Sequence, residues 1–157
     1  MTIEIKNLPD VRVAYMRHVG AYGHPGIAEM WLKFASWCAA QGFMRPRRKM
    51  YGISQDSPDV TAPEKCRYDA CIEVDAHFKL TGAIGVQTIT GGRFACTLFS
   101  GPAADIHAAW MKFCTVDIPA AGLTFANRPP FELYPEDYVV DEKSGAFTCW
   151  LCVPVKG

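Results

Sequence analysis

The sequence predicts an α+β fold. It would be built from duplicated strand–helix–strand–strand modules related by a pseudo-two-fold, with antiparallel sheet, helices on one face and a ligand groove at the seam. Three observations predict it. Residues 11–75 align with residues 92–155 at an offset of about eighty positions, close to half the chain. VAYMRHVG (Val13 to Gly20) falls on FACTLFSG (Phe94 to Gly101), and MYGISQD (Met50 to Asp56) on FELYPED (Phe131 to Asp137). Between them each half carries one tryptophan-bearing stretch of helical period, MWLKF (Met30 to Phe34) and WMKF (Trp110 to Phe113).

The elements follow in order. Thr2 to Lys6 and Val11 to Tyr15 alternate apolar and polar residues about the turn signal Asn7-Leu8-Pro9-Asp10, which predicts a pair of strands. His24-Pro25-Gly26 opens a helix whose apolar stripe is Ile27, Met30, Trp31, Phe34 and Trp37/Cys38, and Gly42 closes it. Strands are predicted at Met50 to Ser54 and at Arg67 to Asp75, after a loop rich in Pro and Asp. In the second half, Ile84 to Thr90 and Arg93 to Phe99 read as strands around a hairpin turn at Gly91-Gly92. A helix from about Ala103 presents Ile106, Trp110 and Phe113 on one face, and Pro119 is expected to stop it. Phe131 to Tyr134 and Ala146 to Val155 complete the set. The halves divide at about 1–80 and 81–157 of one 157-residue domain.

Composition narrows the function classes. Sixteen basic residues balance sixteen acidic ones, so net charge gives no drive toward nucleic acid or an anionic membrane. The apolar stretches are too short to span a bilayer, and the N-terminus lacks a signal-peptide layout. Seven cysteines, an odd number, then argue for a reducing cytoplasm and free thiols. Cys149 and Cys152 have redox-motif spacing in CWLC, yet within a strand positions i and i+3 point to opposite faces. The four histidines have no metal-ligand spacing, and neither metal nor cofactor is expected. The basic loop Arg45 to Lys49 reads as a solvated segment.

EKCRYDACIEV (Glu64 to Val74), ITGGRFACTLFSGP (Ile89 to Pro102) and PPFELYPED (Pro129 to Asp137) resemble the GyrI-like effector-binding domains. That family includes the DNA gyrase inhibitory protein and the drug-sensing halves of AraC- and MerR-type regulators. The resemblance covers essentially the whole chain. It implies a central groove for lipophilic, aromatic or cationic small molecules, with a glutamate of the late FExY strand at its centre, here Glu132. It implies three readings: stand-alone binding, for sequestration or sensing; hydrolysis of cyclopropane-bearing alkylating natural products by the groove glutamate; and inhibition of DNA gyrase. Direct DNA binding is not expected, since no segment is left for a helix-turn-helix.

The internal alignment adds a site argument. Tyr51 falls on Glu132, so the two halves differ at this acid. Alternation places Phe131 and Leu133 on one strand face, expected to meet the helix, and Glu132 and Tyr134 on the other, expected to line the groove. Tyr51 and Ile53 are assigned to that groove face, with Trp150 opposite the core set Phe147, Cys149 and Leu151. The predicted ligand-binding residues are therefore Glu132, Tyr134, Tyr51, Trp150 and Ile53, where rings around a carboxylate suit a flat cation. Tyr68 and the helix tryptophans Trp31, Trp37 and Trp110 are assigned to the core. Asp69 and Glu73 read as a solvated acidic face, or as a second acid for the groove.

Overall fold

A computed structural model describes residues 2–79 and 82–157. Eight strands and two main helices occur in the order β1 (Glu4–Leu8), β2 (Val11–Val19), α1 (Pro25–Ala40), β3 (Met50–Ser54), β4 (Arg67–Glu73), β5 (Gly85–Ile89), β6 (Gly92–Gly101), α2 (Ile106–Lys112), β7 (Phe131–Tyr134) and β8 (Phe147–Pro154). Each half therefore runs strand, strand, helix, strand, strand. All eight strands join one antiparallel sheet in the order β1-β6-β8-β7-β3-β4-β2-β5. Exchanging each strand for its counterpart four strands along gives the same order read from the other end. The axis of that exchange falls between β3 and β7, at the centre of the sheet.

Neither predicted strand pair is a hairpin. β1 pairs with β6 and β2 with β4 and β5, so the links Pro9-Asp10 and Thr90-Gly91 run between opposite ends of the sheet. Two short links can join the two ends only if the sheet curls until they meet. The Gly91 amide donates to Asp10 Oδ1 at 2.7 Å across this junction. A Cβ on Gly91 would lie 2.2 Å from the Leu8 carbonyl oxygen, so the Gly91-Gly92 signal marks a close backbone approach.

The curl gives the sheet two different faces. On the face without helices, Val13, Tyr51, Ile53, Cys71, Phe94 and Phe131 close on one another as a core. On the other face α1 packs Met30, Phe34 and Cys38 over β2 and β4, while Phe113 and Ile118 of the second helical segment cover β6 and β8. α1 starts where the His24 imidazole Nδ1 accepts from the Gly26 amide at 2.9 Å, with Pro25 in the first turn. Gly42, at φ +77°, follows its C-terminal end. Pro119 does not stop the second helix. α2 continues through a π-helical turn, Phe113–Asp117, into a final turn Ile118–Ala120 that contains Pro119. The wider π turn is where the regular i→i−4 ladder is already interrupted.

Among the described residues no helix is long and apolar enough to cross a membrane. Cys149 and Cys152 join the cores on opposite faces, as the strand geometry requires.

Candidate functional site

β3 and β7 are the central pair, and their register places Gly52 opposite Glu132 and Tyr51 opposite Leu133. Glu132 and Tyr134 point to the helix-bearing side, whereas Phe131 and Leu133 point to the helix-free core. The expectation that Phe131 and Leu133 meet the helix is thus reversed. The groove lies on the same side of the sheet as the helices, between α1 and α2 and along β3 and β7. It is a cleft of about 1640 Å³, with Glu132 and Tyr68 in its floor and Trp31 and Trp110 in its walls.

Tyr51, Ile53 and Trp150 do not join this cleft. Side chains alternate along a strand, so aligning Tyr51 with Glu132 pairs residues on opposite faces; the counterpart that shares the face of Glu132 is Gly52. Tyr51 and Ile53 lie in the helix-free core, and the Tyr51 hydroxyl donates to Glu73 Oε1 at 3.0 Å. Trp150 packs on that face too, with the Lys6 ammonium 3.5 Å from its ring centre. Asp69 is neither solvated nor in the cleft. It is fully buried and takes a bidentate pair from Arg17 at 2.7 and 2.9 Å, plus bonds from Gln55 and Gln87.

Glu132 is 5% exposed, and both of its oxygens accept hydrogen bonds. The Tyr68 hydroxyl donates to Oε1 at 2.7 Å, the Tyr134 hydroxyl to the same oxygen at 2.9 Å, and the Trp110 indole N–H to Oε2 at 2.8 Å. The Trp31 indole N–H in turn donates to the Tyr68 hydroxyl at 3.1 Å. Both helices thus reach the same carboxylate, α2 directly and α1 through a tyrosine. Burial pushes the Glu132 carboxyl above its ordinary range, and the bonds from Tyr68, Trp110 and Tyr134 hold it back. Tyr68 and Tyr134 are pushed well up, first by burial and then by the Glu132 charge. Both phenols therefore stay protonated as donors at neutral pH.

Rings enclose the carboxylate. The Trp31 ring meets Tyr134 edge-on at 5.5 Å, and Tyr134, Tyr138 and Phe147 form a mutually packed group at 5.1 to 5.9 Å, with Tyr138 edge-on to both of the others. The sequence-based assignment of Trp31, Trp110 and Tyr68 to the core missed their polar ends. A buried indole N–H or phenol needs a partner, and that need was a readable signal. So was Gly52, an interior strand glycine, which commonly marks a close approach.

With this geometry in view, comparison with known proteins decides the family. Residues 1–156 match the family described as GyrI-like, the GyrI-like small molecule binding domain. The chain belongs to the GyrI-like family. A similar relative is the protein named SPbeta prophage-derived putative transcriptional regulator YosT, of Bacillus subtilis strain 168. It is 28% identical over 156 residues, which is 99% of this chain and 100% of YosT. A protein of Cronobacter sakazakii named DNA gyrase inhibitor is 31% identical over 107 residues, 66% of each chain. Among solved structures, SAV2435 bound to tetraphenylphosphonium superposes with a TM-score of 0.67 at 16% identity. The match covers all of this chain and 95% of SAV2435, and it shows a shared fold. The GyrI-like assignment makes this a small-molecule-binding domain, and the cleft around Glu132 is its candidate binding site.

Proposed function

We propose that this GyrI-like protein binds amphipathic, aromatic cations in the cleft between α1 and α2, with Glu132 as the counter-charge. One observation carries the reading. Glu132 is a buried carboxylate held by three neutral donors, and among the described residues no lysine or arginine forms a salt bridge with it. Neutral donors satisfy its oxygens without cancelling its charge, so the cleft floor is electronegative inside an apolar enclosure. A cation with a flat body supplies the missing charge and lies against rings whose faces attract it, at roughly 0.5–2 kcal/mol per ring. The relative seen with a phosphonium cation supports the same ligand class.

Quenching of the native tryptophans tests this, because Trp31 and Trp110 line the cleft. Titration with lipophilic cations should give saturable quenching in the wild type. Glu132→Gln should weaken it by about tenfold or more, as loss of one partner of a buried charge pair does. No saturable response to any such cation removes the reading. Mass spectrometry of the recovered ligand separates binding from turnover, since a gain of one water that Glu132→Gln abolishes identifies the hydrolase instead. The name of the Cronobacter relative favours a second reading, inhibition of DNA gyrase. Unchanged supercoiling by gyrase with the purified protein in large excess would remove it.

A further inference from the structure

We propose that Gly52, Tyr68 and Trp31 form a positioning relay across the seam that biases Glu132 toward its hydrogen-bond-accepting, ionised form, and that this relay makes the cleft select cations. The proposal rests on the cation-binding reading and adds how the first half of the chain controls an acid carried by the second.

Hydrogen-bond polarity dictates the arrangement. An indole N–H can only donate, so Trp31 obliges the Tyr68 oxygen to accept at 3.1 Å. The single Tyr68 proton then goes to Glu132 Oε1, 2.7 Å away, and no other acceptor for it occurs among the described residues. Trp110, again donor-only, occupies Oε2 at 2.8 Å. A protonated carboxyl would need an acceptor at one of these oxygens. Trp110 provides none, and Tyr68 is already committed as a donor. Only Tyr134, at 2.9 Å, could reverse its hydroxyl.

Gly52 makes this crossing geometrically feasible. It sits opposite Glu132 in the register, and a Cβ there would fall 2.0 Å from the Tyr68 hydroxyl oxygen and 2.5 Å from Glu132 Oε1. The Tyr68–Glu132 bond therefore passes through the space that any other residue at position 52 would fill. The relay also breaks the symmetry of the strand order, because Glu132 stands where the first half has Gly52. One half supplies the acid, and the other supplies the space and the donor.

Tetraphenylphosphonium is a suitable probe, since its charge does not change with pH. Other titratable groups face the same space. Cys149 of β8 is pushed up by burial and by Glu132, and Asp56, Asp59, Glu136, His24, His107, Arg47, Arg48 and Arg128 line the cleft farther out. Calorimetric affinities across a pH series should therefore be measured for wild type, Glu132→Gln, Tyr68→Phe and Trp31→Phe. Wild-type affinity should fall as pH drops through the Glu132 titration, by up to tenfold per unit, and Glu132→Gln should abolish that fall. Tyr68→Phe removes a donor to the anion and should move the midpoint up by about one unit. Trp31→Phe frees the Tyr68 hydroxyl and should move it up by a smaller amount, about half a unit.

A wild type that fails to bind, or a pH dependence that survives Glu132→Gln, overturns the cation-binding reading itself. An Glu132-dependent midpoint that stays put in both Tyr68→Phe and Trp31→Phe overturns the relay alone. Affinity lost equally at every pH in Trp31→Phe would mean that the indole serves only as a wall. Should Tyr68→Phe fail to fold, the half-buried Trp31 variant decides the question.

Discussion

Gly52→Ala puts the central geometry under direct load. The added methyl would lie 2.0 Å from the Tyr68 hydroxyl and 2.9 Å from the ring carbon that bears it. Tyr68 is almost fully buried, so it can withdraw only by displacing neighbours, and a withdrawal of about 1 Å breaks its 2.7 Å bond to Glu132. Loss of a hydrogen bond to a charged group costs about 1.5–3 kcal/mol, and overpacking adds about 1–3 kcal/mol. Restricting the unfolded chain returns about 0.4–1 kcal/mol. The net is a loss of about 3 kcal/mol, which for a chain of this length lowers the melting temperature by about 6–12 °C. Tyr68→Phe removes the atom in closest conflict, so the double variant should be more stable than the sum of the two single losses, by about 1 kcal/mol. Thermal unfolding of all four proteins measures the first quantity and urea unfolding the second. A Gly52→Ala melting temperature equal to wild type, or strict additivity, would refute the argument.

Other outcomes follow from the same structure. Tyr51→Phe should cost about 1 kcal/mol through its bond to Glu73 and leave affinity for tetraphenylphosphonium unchanged, because Tyr51 lies on the far face of the sheet; equilibrium unfolding and calorimetry check the two halves of that statement. Asp69→Ala should destabilise by about 2–4 kcal/mol, since it strands Arg17 and two glutamines; exposure of Arg17 keeps the loss below that of a fully buried pair. The Glu132 carboxyl titrates above its unfolded value of about 4.3, so its contribution to stability is complete below that pH and is lost as pH rises through the folded value. The stability of wild type relative to Glu132→Gln should therefore decline as pH is raised from 4, which unfolding at several pH values will show. Six of the seven cysteines are buried and Cys114, on the cleft wall, is partly exposed, so a thiol reagent should label one site first and bound tetraphenylphosphonium should slow it.

Much of the fold was legible in the sequence because its signals are local. The repeat and strand alternation set β3 and β7 at their observed bounds, and Gly42 marked the end of α1. The pairing of β1 with β6 and of β5 with β2 was not legible. It is a non-local exchange between halves, and Gly91-Gly92 looks the same whether it turns a hairpin or crosses between sheet ends. Glu132 was singled out by the resemblance and by the break in the internal alignment, and alternation along one strand put Tyr134 on its face, which the structure shows they share. Tyr51, Ile53 and Trp150 were assigned to the groove for two reasons: the repeat was aligned one residue out of step at β3, and the groove was placed on the helix-free face. Period two makes the first error total, since every side chain changes sides. The role of Trp31 depends on where α1 lies over β4, which periodicity does not encode.

Tetraphenylphosphonium and tetraphenylborate have nearly the same shape and opposite charge, so their calorimetric titration into the wild-type protein at neutral pH isolates the part played by the Glu132 charge. The phosphonium should bind saturably and the borate not at all. Equal affinity for the two ions would contradict this, because the cleft would then be recognising apolar shape and Glu132 would have no part in choosing the ligand.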